Sequence, residues 1–260
     1  MFSLPSIEVQ GLVRIGTSIL LVLVAIAISR WRRANLERDM IIATIRAFIQ
    51  LIAIGYALNF IFGQESPIWT LAVLIIMLLV AGRTAGVRGE QVPNSSLLAL
   101  AAIGVGSLFT LGTLIGLRIF TFDPQTIIPI GGMIIGNSMT TASLVMNRLA
   151  NDFHSESDQI EVALSLGATS QQASEPQFRA ALKSAMIPIV DTTKTVGLIK
   201  LPGAMTGMIL AGAPPLEAVQ IQMIVMYMLV GAAAFTGLTA AYLTYRMYFT
   251  QYHQLILPES

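Results

Sequence analysis

Residues 97–117 read LLALAAIGVGSLFTLGTLIGL, an unbroken run without one charged side chain. A helix of this length covers the hydrocarbon core of a bilayer, which is about 30 Å thick and takes about 20 apolar residues. The rest of the chain has the same character, because 55% of its 260 residues are hydrophobic and only 11% are charged. One soluble core of this size cannot bury so much apolar surface. We therefore expect an all-α integral membrane protein that crosses the cell membrane several times, the inner membrane if the source is a bacterium.

Further apolar stretches bring the expected number of transmembrane helices to seven. The seven predicted spans are residues 11–29, 41–62, 67–82, 97–117, 126–147, 184–211 and 218–247. Arginines follow the first and third spans, at 30–38 and 83–88, and a polar segment at 148–183 follows the fifth. Loops rich in Lys and Arg stay in the cytoplasm. We thus expect one transmembrane domain over residues 1–260, with the N-terminus outside, the C-terminus inside and a cytoplasmic loop at 148–183.

Several classes of function are excluded by what the chain lacks. It has no cysteine and no G-x-x-x-x-G-K-[ST] loop, so it has neither thiolate ligands nor a phosphate-binding loop for ATP. It has no Ser/His/Asp spacing or carboxylate pair either, so we expect neither catalysis nor a bound cofactor. Its net charge is only +1, which gives no support to a nucleic-acid partner. The two histidines, His154 and His253, lie outside the predicted spans, so the sequence leaves metal binding unknown.

The polar segment after the fifth span contains EVALSLGA at residues 161–168. Helical spacing places Ile160, Ala163, Leu164 and Gly167 on one face. The pattern E-x-A-x-x-x-G resembles the EAA signature of ABC importer-type permeases, whose short coupling helix inserts into a groove on the cytoplasmic ATPase. The residues that this resemblance assigns to ATPase coupling are Glu161, Ala163, Leu164, Gly167 and Ala168. The alternative is an ordinary amphipathic helix at the lipid surface.

Polar side chains inside the fifth span are the first candidates for a transport pathway, because polar groups at membrane depth face a cavity or a partner. Asn137, Ser138 and Thr141 form a polar stripe along the predicted helix. Hydrogen bonding between helices accounts for such a stripe as well as pathway lining does.

The sixth span carries the second set of candidates, Asp191, Lys194 and Lys200. Asp191 and Lys194 have the i, i+3 spacing of a pair that can neutralise itself, so a simple salt bridge is the alternative to a pathway. The same span holds residues that interrupt helices, Pro188, Gly197, Pro202 and Gly203. Broken backbone at membrane depth is tolerated only beside protein or a watery cavity, which favours a pathway or gate here.

Three ordered blocks carry a family resemblance. They are GNSM at 136–139, the segment 163–168, and PIVDTTKTVGLIKLPGAMTGMILAGAPPLEA at 188–218. Together they resemble a small family of ABC permeases that includes the bacterial Fet-type iron-export permease and the plant aluminium-tolerance permeases. The resemblance covers nearly the whole chain and is strongest between residues 130 and 230. It implies a permease domain present as two copies around a central path, each receiving a separately encoded ATPase subunit that binds ATP and Mg.

The expected function is therefore that of the membrane-spanning permease subunit of an ATP-driven transporter, exporting iron or a related metal species. Within this class, a sugar nucleotide or another small organic substrate is the alternative cargo. Two other classes stay open. A self-sufficient secondary transporter would move its substrate without an ATPase, and a non-transporting membrane scaffold would lose only stability when Asp191 or Lys194 is changed.

Overall fold

The computed structural model describes residues 9–63 and 66–257, with side chains from residue 16 onward. The described residues form nine α-helices: α1 Val9–Arg32, α2 Glu37–Phe62, α3 Pro67–Arg88, α4 Ser95–Gly116, α5 Pro124–Ser155, α6 Ser157–Ser165, α7 Ser170–Thr195, α8 Gly203–Leu210 and α9 Pro215–Met247. They belong to two compact units, Met1–Gln64 with α1 and α2, and Glu65–Ser260 with α3 to α9.

The first unit is a pair of helices joined by a tight turn. Arg33 and Asn35 both have positive φ, at 55° and 56°, which reverses the chain between α1 and α2. Ser29 fastens the turn, because its hydroxyl donates to Glu37 Oε1 at 3.3 Å and accepts from the Leu36 backbone N–H at 3.3 Å. The predicted outer turn at 63–66 includes residues 64 and 65, which lie outside the described residues.

The second unit is built on α4, α5 and α9, with α3 packed against α4 and α5, and α7 packed against α5 and α9. Small residues let these helices approach closely. A Cβ placed on Gly106 of α4 would lie 3.0 Å from the backbone nitrogen of Thr236 on α9. The close approach of the two backbones therefore depends on glycine at this position.

Five helices of the described part are long and apolar enough to cross a membrane: α2, α3, α4, α5 and α9. An all-α membrane protein is thereby confirmed, whereas the expected total of seven spans and the orientation stay predictions. The sixth predicted span is interrupted, as its glycines and prolines had indicated. α7 ends at Thr195 and α8 begins at Gly203, so residues 184–211 contain two helices.

The predicted cytoplasmic connection at 148–183 contains more helix than the one short helix expected near 161–168. α5 continues to Ser155, α6 occupies 157–165 and α7 begins at Ser170, so most of this segment is helical. The N-terminus of α7 is fixed by a capping box, in which Thr169 and Gln172 satisfy each other's backbone N–H groups. Polar composition gave no sign of the additional helical residues, because it indicates exposure to solvent and not conformation.

One end of the second unit gathers four segments of the chain. The Tyr248 hydroxyl donates to the carbonyl of Gln91 in the α3–α4 turn at 3.1 Å. The Phe153 ring near the end of α5 lies 5.0 Å from the Tyr248 ring, and Ser170 Oγ lies 2.7 Å from the Tyr245 hydroxyl. The arginines near this end are Arg83, Arg88, Arg148, Arg179 and Arg246. The turn between α4 and α5 lies at the opposite end of the second unit. Arg118 is the only arginine in that turn.

Candidate functional site

α6 is a short helix whose inner side is held by the core of the second unit. Ile160 is fully buried, and Ala163, Leu164 and Ala168 pack against the same core cluster. The helix ends in a Schellman motif, since the Gly167 N–H donates to the Leu164 carbonyl at 3.0 Å and the Ala168 N–H donates to the Ala163 carbonyl at 3.1 Å. Gly167 has φ +91°, a backbone conformation that glycine adopts without strain.

The side of α6 that faces outward is not the side chosen from the sequence. Of the predicted coupling residues, Glu161 and Gly167 are exposed, whereas Ala163, Leu164 and Ala168 pack inward. The outward apolar side chains are Val162, 60% exposed, and Leu166, 84% exposed. The sequence analysis did not identify either residue. Their spacing was a usable signal, because it places both of them off the helical face that contains Ile160.

α6 is tied to its neighbours by polar contacts as well as by packing. Glu156 connects α5 to α6, and its Oε2 accepts a hydrogen bond from Gln177 Nε2 of α7 at 2.8 Å. α5 leads directly into α6 through Glu156, and the two helices also pack against each other. α6 is thus attached to two long helices and can pass a displacement to both.

The chain after α9 folds back over this end of the unit. Tyr248 is fully buried, and the Phe153 ring packs against both Tyr248 and Phe249, with centroids at 5.0 and 5.8 Å. His253 Nδ1 accepts from the Ser170 N–H at 3.2 Å and lies 2.9 Å from Ser170 Oγ. The tail therefore joins the end of α9 to the start of α7.

Burial raises the pKa of Tyr248 from 10.0 to about 12. Because the folded-state pKa is above the unfolded value, the stability that the neutral phenol contributes is complete below pH 10 and is lost as the pH rises through about 12. We expect unfolding in detergent to become easier as the pH rises from 10 to about 12, and we expect Tyr248→Phe to reduce that loss. Identical alkaline losses in the two proteins would contradict a buried neutral phenol.

The polar stripe of α5 faces α9 and makes hydrogen bonds there. Asn137 Nδ2 donates to the Leu229 carbonyl at 3.1 Å, and the Thr236 hydroxyl donates to Ser138 Oγ at 3.0 Å. Thr141 Oγ1 donates to the Asn137 carbonyl at 3.1 Å. Ser138 and Thr141 are buried, and both hydroxyls are satisfied within the protein, that of Ser138 by the contact with α9 and that of Thr141 by a bond within α5.

The charged candidates lie on the outer surface of the second unit. Asp191 and Lys194 are both exposed on α7, and no ion pair within 4 Å joins them. Lys200 is exposed in the connection between α7 and α8. The structure therefore brings the three residues to one stretch of surface but does not place them with the stripe of α5.

The predicted interruption of the sixth span lies between Thr195 and Gly203. Gly197 has φ +82°, and its N–H donates to the Lys200 carbonyl at 3.0 Å, which makes a compact turn. Pro202 is the N-cap residue of α8, which Gly203 begins. Pro188 was wrongly predicted to break the helix, because α7 continues through it to Thr195.

In the part of the chain that the structure describes, no three His, Asp or Glu side chains stand close enough to share a metal ion. His154 lies near the end of α5, with its ring edge toward Tyr248, and His253 is bonded to Ser170. The two histidines thus take part in contacts at the same end of the unit.

Comparison with known proteins gives the family. The sequence profile of the uncharacterised protein family UPF0014 matches residues 12–249. The chain belongs to this family. The predicted resemblance is thereby confirmed, because the relatives include both plant and bacterial proteins of the expected kind.

Three relatives of this UPF0014 protein cover almost its whole length. It is 43% identical over 246 residues to the protein ALUMINUM SENSITIVE 3 of Arabidopsis thaliana, which is 95% of this chain and 90% of the relative. It is 43% identical over 245 residues to the UPF0014 membrane protein STAR2 of rice, 94% of this chain and 86% of the relative. It is 39% identical over 245 residues to the probable iron export permease protein FetB of Escherichia coli, 94% of this chain and 95% of the relative. No solved structure matches it.

Proposed function

We propose that this UPF0014 protein is the membrane-spanning subunit of an ATP-driven transporter and that the outward side of α6 is the surface on which a separate ATPase subunit docks. The observation that carries the proposal is the pair of exposed apolar side chains, Val162 and Leu166, on a helix whose other side is locked into the core. A partner can bind the exposed apolar side chains of such a helix, and the buried side connects the helix rigidly to the core of the second unit.

The position of α6 fits the transmission of a partner's movement. Ile160, which is fully buried, belongs to the same core cluster as Phe153 of α5 and Ala181 of α7. Because packed interiors are close to incompressible, displacement of α6 must displace these two helices. The chain has no phosphate-binding loop of its own, so a displacement driven by ATP requires another subunit.

The proposed orientation places α6 in the cytoplasm. The arginines of the second unit gather at the end that carries α6, and positively charged residues are retained on the cytoplasmic side of membranes. The C-terminal tail lies at the same end, so the C-terminus is also cytoplasmic in this proposal. An ATPase that uses cellular ATP and Mg would meet α6 on this side.

The proposed cargo is iron or a related metal species, moved outward through an assembly of two copies of the chain with one ATPase subunit each. The name of the Escherichia coli relative, a probable iron export permease, supports this cargo. A small organic substrate is the alternative, and efflux measurements separate the two.

The direct experiment is recovery of the partner by tagged protein from membranes, with Leu166→Glu as the variant. Leu166 is exposed, so its replacement by Glu leaves the core intact while placing a charge in the proposed contact. A charge without a partner at the centre of an interface costs several kcal/mol, so we expect recovery of the ATPase to fall at least about tenfold. Gly167→Arg is a poorer variant, because its φ of +91° would strain any other side chain.

The matched control is Leu117→Glu, at the exposed C-cap of α4 on the opposite end of the unit. It should recover as much ATPase as the unchanged protein. In iron-loaded cells that express the ATPase, we also expect cells with Leu166→Glu to retain iron and cells with Leu117→Glu to export it. A chain that exports iron in cells without any ATPase would instead be a secondary transporter.

A further inference from the structure

The outer part of α7 presents a charged face that no described residue of the chain neutralises. Ile187, Asp191 and Lys194 follow one another at i, i+4 and i+7, so they share one side of the helix, and all three are exposed. Neither charge has an ion-pair partner within 4 Å among residues 16–63 and 66–257. Leu198, which is 88% exposed in the turn after α7, continues the same surface with an apolar side chain.

This face lies at the depth of a membrane-crossing helix. α7 runs antiparallel to α9, because Ser170 contacts Tyr245 while Ile189 packs in one cluster with Met226 and Ala233. Met226 is eleven residues into α9, about 16 Å from its first residue at 1.5 Å per residue. Asp191 follows Ile189 by two residues and is therefore well inside the length of α9, which is apolar enough to span a bilayer.

An exposed carboxylate and an exposed ammonium at this depth are costly when they face lipid. An apolar partner bound to this face would bury both charges without giving either of them a counter-charge. A second copy of the same chain, inserted in the same direction and related by a two-fold axis along the membrane normal, resolves both problems. Side chains that flank such an axis reach across it to residues about one turn away on the other copy. Asp191 of one copy then meets Lys194 of the other, and the exchange occurs twice.

We infer that the face formed by Ile187, Asp191 and Lys194 is the contact between two copies of the chain, closed by two reciprocal Asp191–Lys194 ion pairs. The inference rests on the proposed two-copy transporter and adds the surface by which the copies meet. Ile187 and Leu198 supply apolar contact above and below the charges. The ion pairs fix the register of the two helices, since slippage by one turn would leave two charges without partners.

The absence of cysteine from the chain makes the contact directly measurable. Ile187→Cys keeps both charges and adds one thiol on the proposed face. In membranes treated with a thiol oxidant, we expect Ile187→Cys to form a covalent dimer. The matched control is Leu108→Cys, whose side chain is 75% exposed on α4, and we expect at least about fivefold less dimer from it.

Charge exchange between two differently tagged chains tests the reciprocal pairing. Asp191→Lys alone places like charges opposite one another in a homodimer, and so does Lys194→Asp alone. When the two variants are expressed together, the mixed dimer regains two opposite-charge pairs between the copies. Each chain by itself then carries two like charges, at positions 191 and 194. We expect mixed dimers to exceed homodimers at least about tenfold in pull-down between the two tags, as for a close charge pair worth 1.4 kcal/mol or more.

The two proposals fail in different ways. If mixed and like dimers form in equal amounts, or if Leu108→Cys cross-links as well as Ile187→Cys does, the inferred contact is wrong. Recovery of the ATPase by the same unchanged chain would still support the proposed function. If Ile187→Cys gives specific dimers but no ATPase is recovered, the contact stands and the ATP-driven transporter does not.

Discussion

Gly86→Ala is expected to prevent stable folding of the second unit. Gly86 of α3 lies against the start of α4, where an added Cβ would be 2.6 Å from the Ser96 backbone nitrogen and would also overlap its Cα. Backbone atoms of two helices cannot move aside as a flexible side chain can, so the helices must separate. Overpacking of a tight core costs about 1–3 kcal/mol and sometimes more, out of a total stability of about 5–15 kcal/mol. We expect a loss at the upper end of that range.

Separation of α3 from α4 would also break the hydrogen bond from Ser95 Oγ to the Gly86 carbonyl, 2.9 Å long. The measurement is the thermal unfolding midpoint in detergent, together with the yield of monodisperse protein. Gly112→Ala is the matched control, because Gly112 lies in α4 with no atom within 4 Å of an added Cβ. It should leave the midpoint unchanged or raise it, since Ala favours a helix over Gly by about 1 kcal/mol. Equal midpoints for the two variants would show that α3 and α4 do not meet at Gly86.

The apolar helices could be predicted from the sequence because one physical requirement fixes them. The span predicted at 97–117 is the helix Ser95–Gly116, and the span predicted at 67–82 begins at the same residue as α3. Lipid demands apolar side chains over a defined length, and Ser66 before Pro67 is an ordinary helix start. The ends that extend into water were placed less well, because hydropathy does not determine where a helix ends.

The polar segment at 148–183 shows where hydropathy fails. Its charges indicated exposure to water, and the prediction placed only one short helix in it, near residues 161–168. The capping signal at Thr169 and Gln172 was present in the sequence and marks the start of α7. Conformation could have been predicted there from helix-start chemistry, whereas composition alone could not give it.

The candidate site was predicted only as far as periodicity allows. Spacing showed that Ile160, Ala163 and Leu164 share a face, but the choice between inward and outward depended on residues distant in the chain, such as Tyr248. Likewise, the Leu229 carbonyl that accepts from Asn137 is 92 residues away. Long-range contacts of this kind have no local signal, so the outward residues Val162 and Leu166 could be identified only from the folded chain.

Phe153→Ala is expected to cause the other large loss of stability. Phe153 is fully buried on the last turn of α5, and its ring packs against Tyr248 and Phe249. Removal of a buried phenylalanine side chain costs about 3–5 kcal/mol, because the lost contacts leave a cavity. The cost should fall on α6 and the C-terminal tail, since Phe153 contacts the rings of the tail and belongs to the same core cluster as Ile160 of α6.

The matched control is Phe235→Ala, which removes a ring of the same size from the Phe109–Phe235 pair, with centroids 4.0 Å apart. Phe235 is partly exposed on α9, so lipid or detergent can fill the space and the unfolding midpoint should fall less. Hydrogen exchange at residues 156–170 and 248–257 should rise sharply in Phe153→Ala and stay unchanged in Phe235→Ala. Since Val162 and Leu166 remain in place, any loss of ATPase recovery by Phe153→Ala would then report a loosened α6 rather than a missing contact. If exchange at 156–170 stays slow, α6 is held by contacts other than Phe153, and force on it would reach the membrane helices through Glu156 and Gln177 instead.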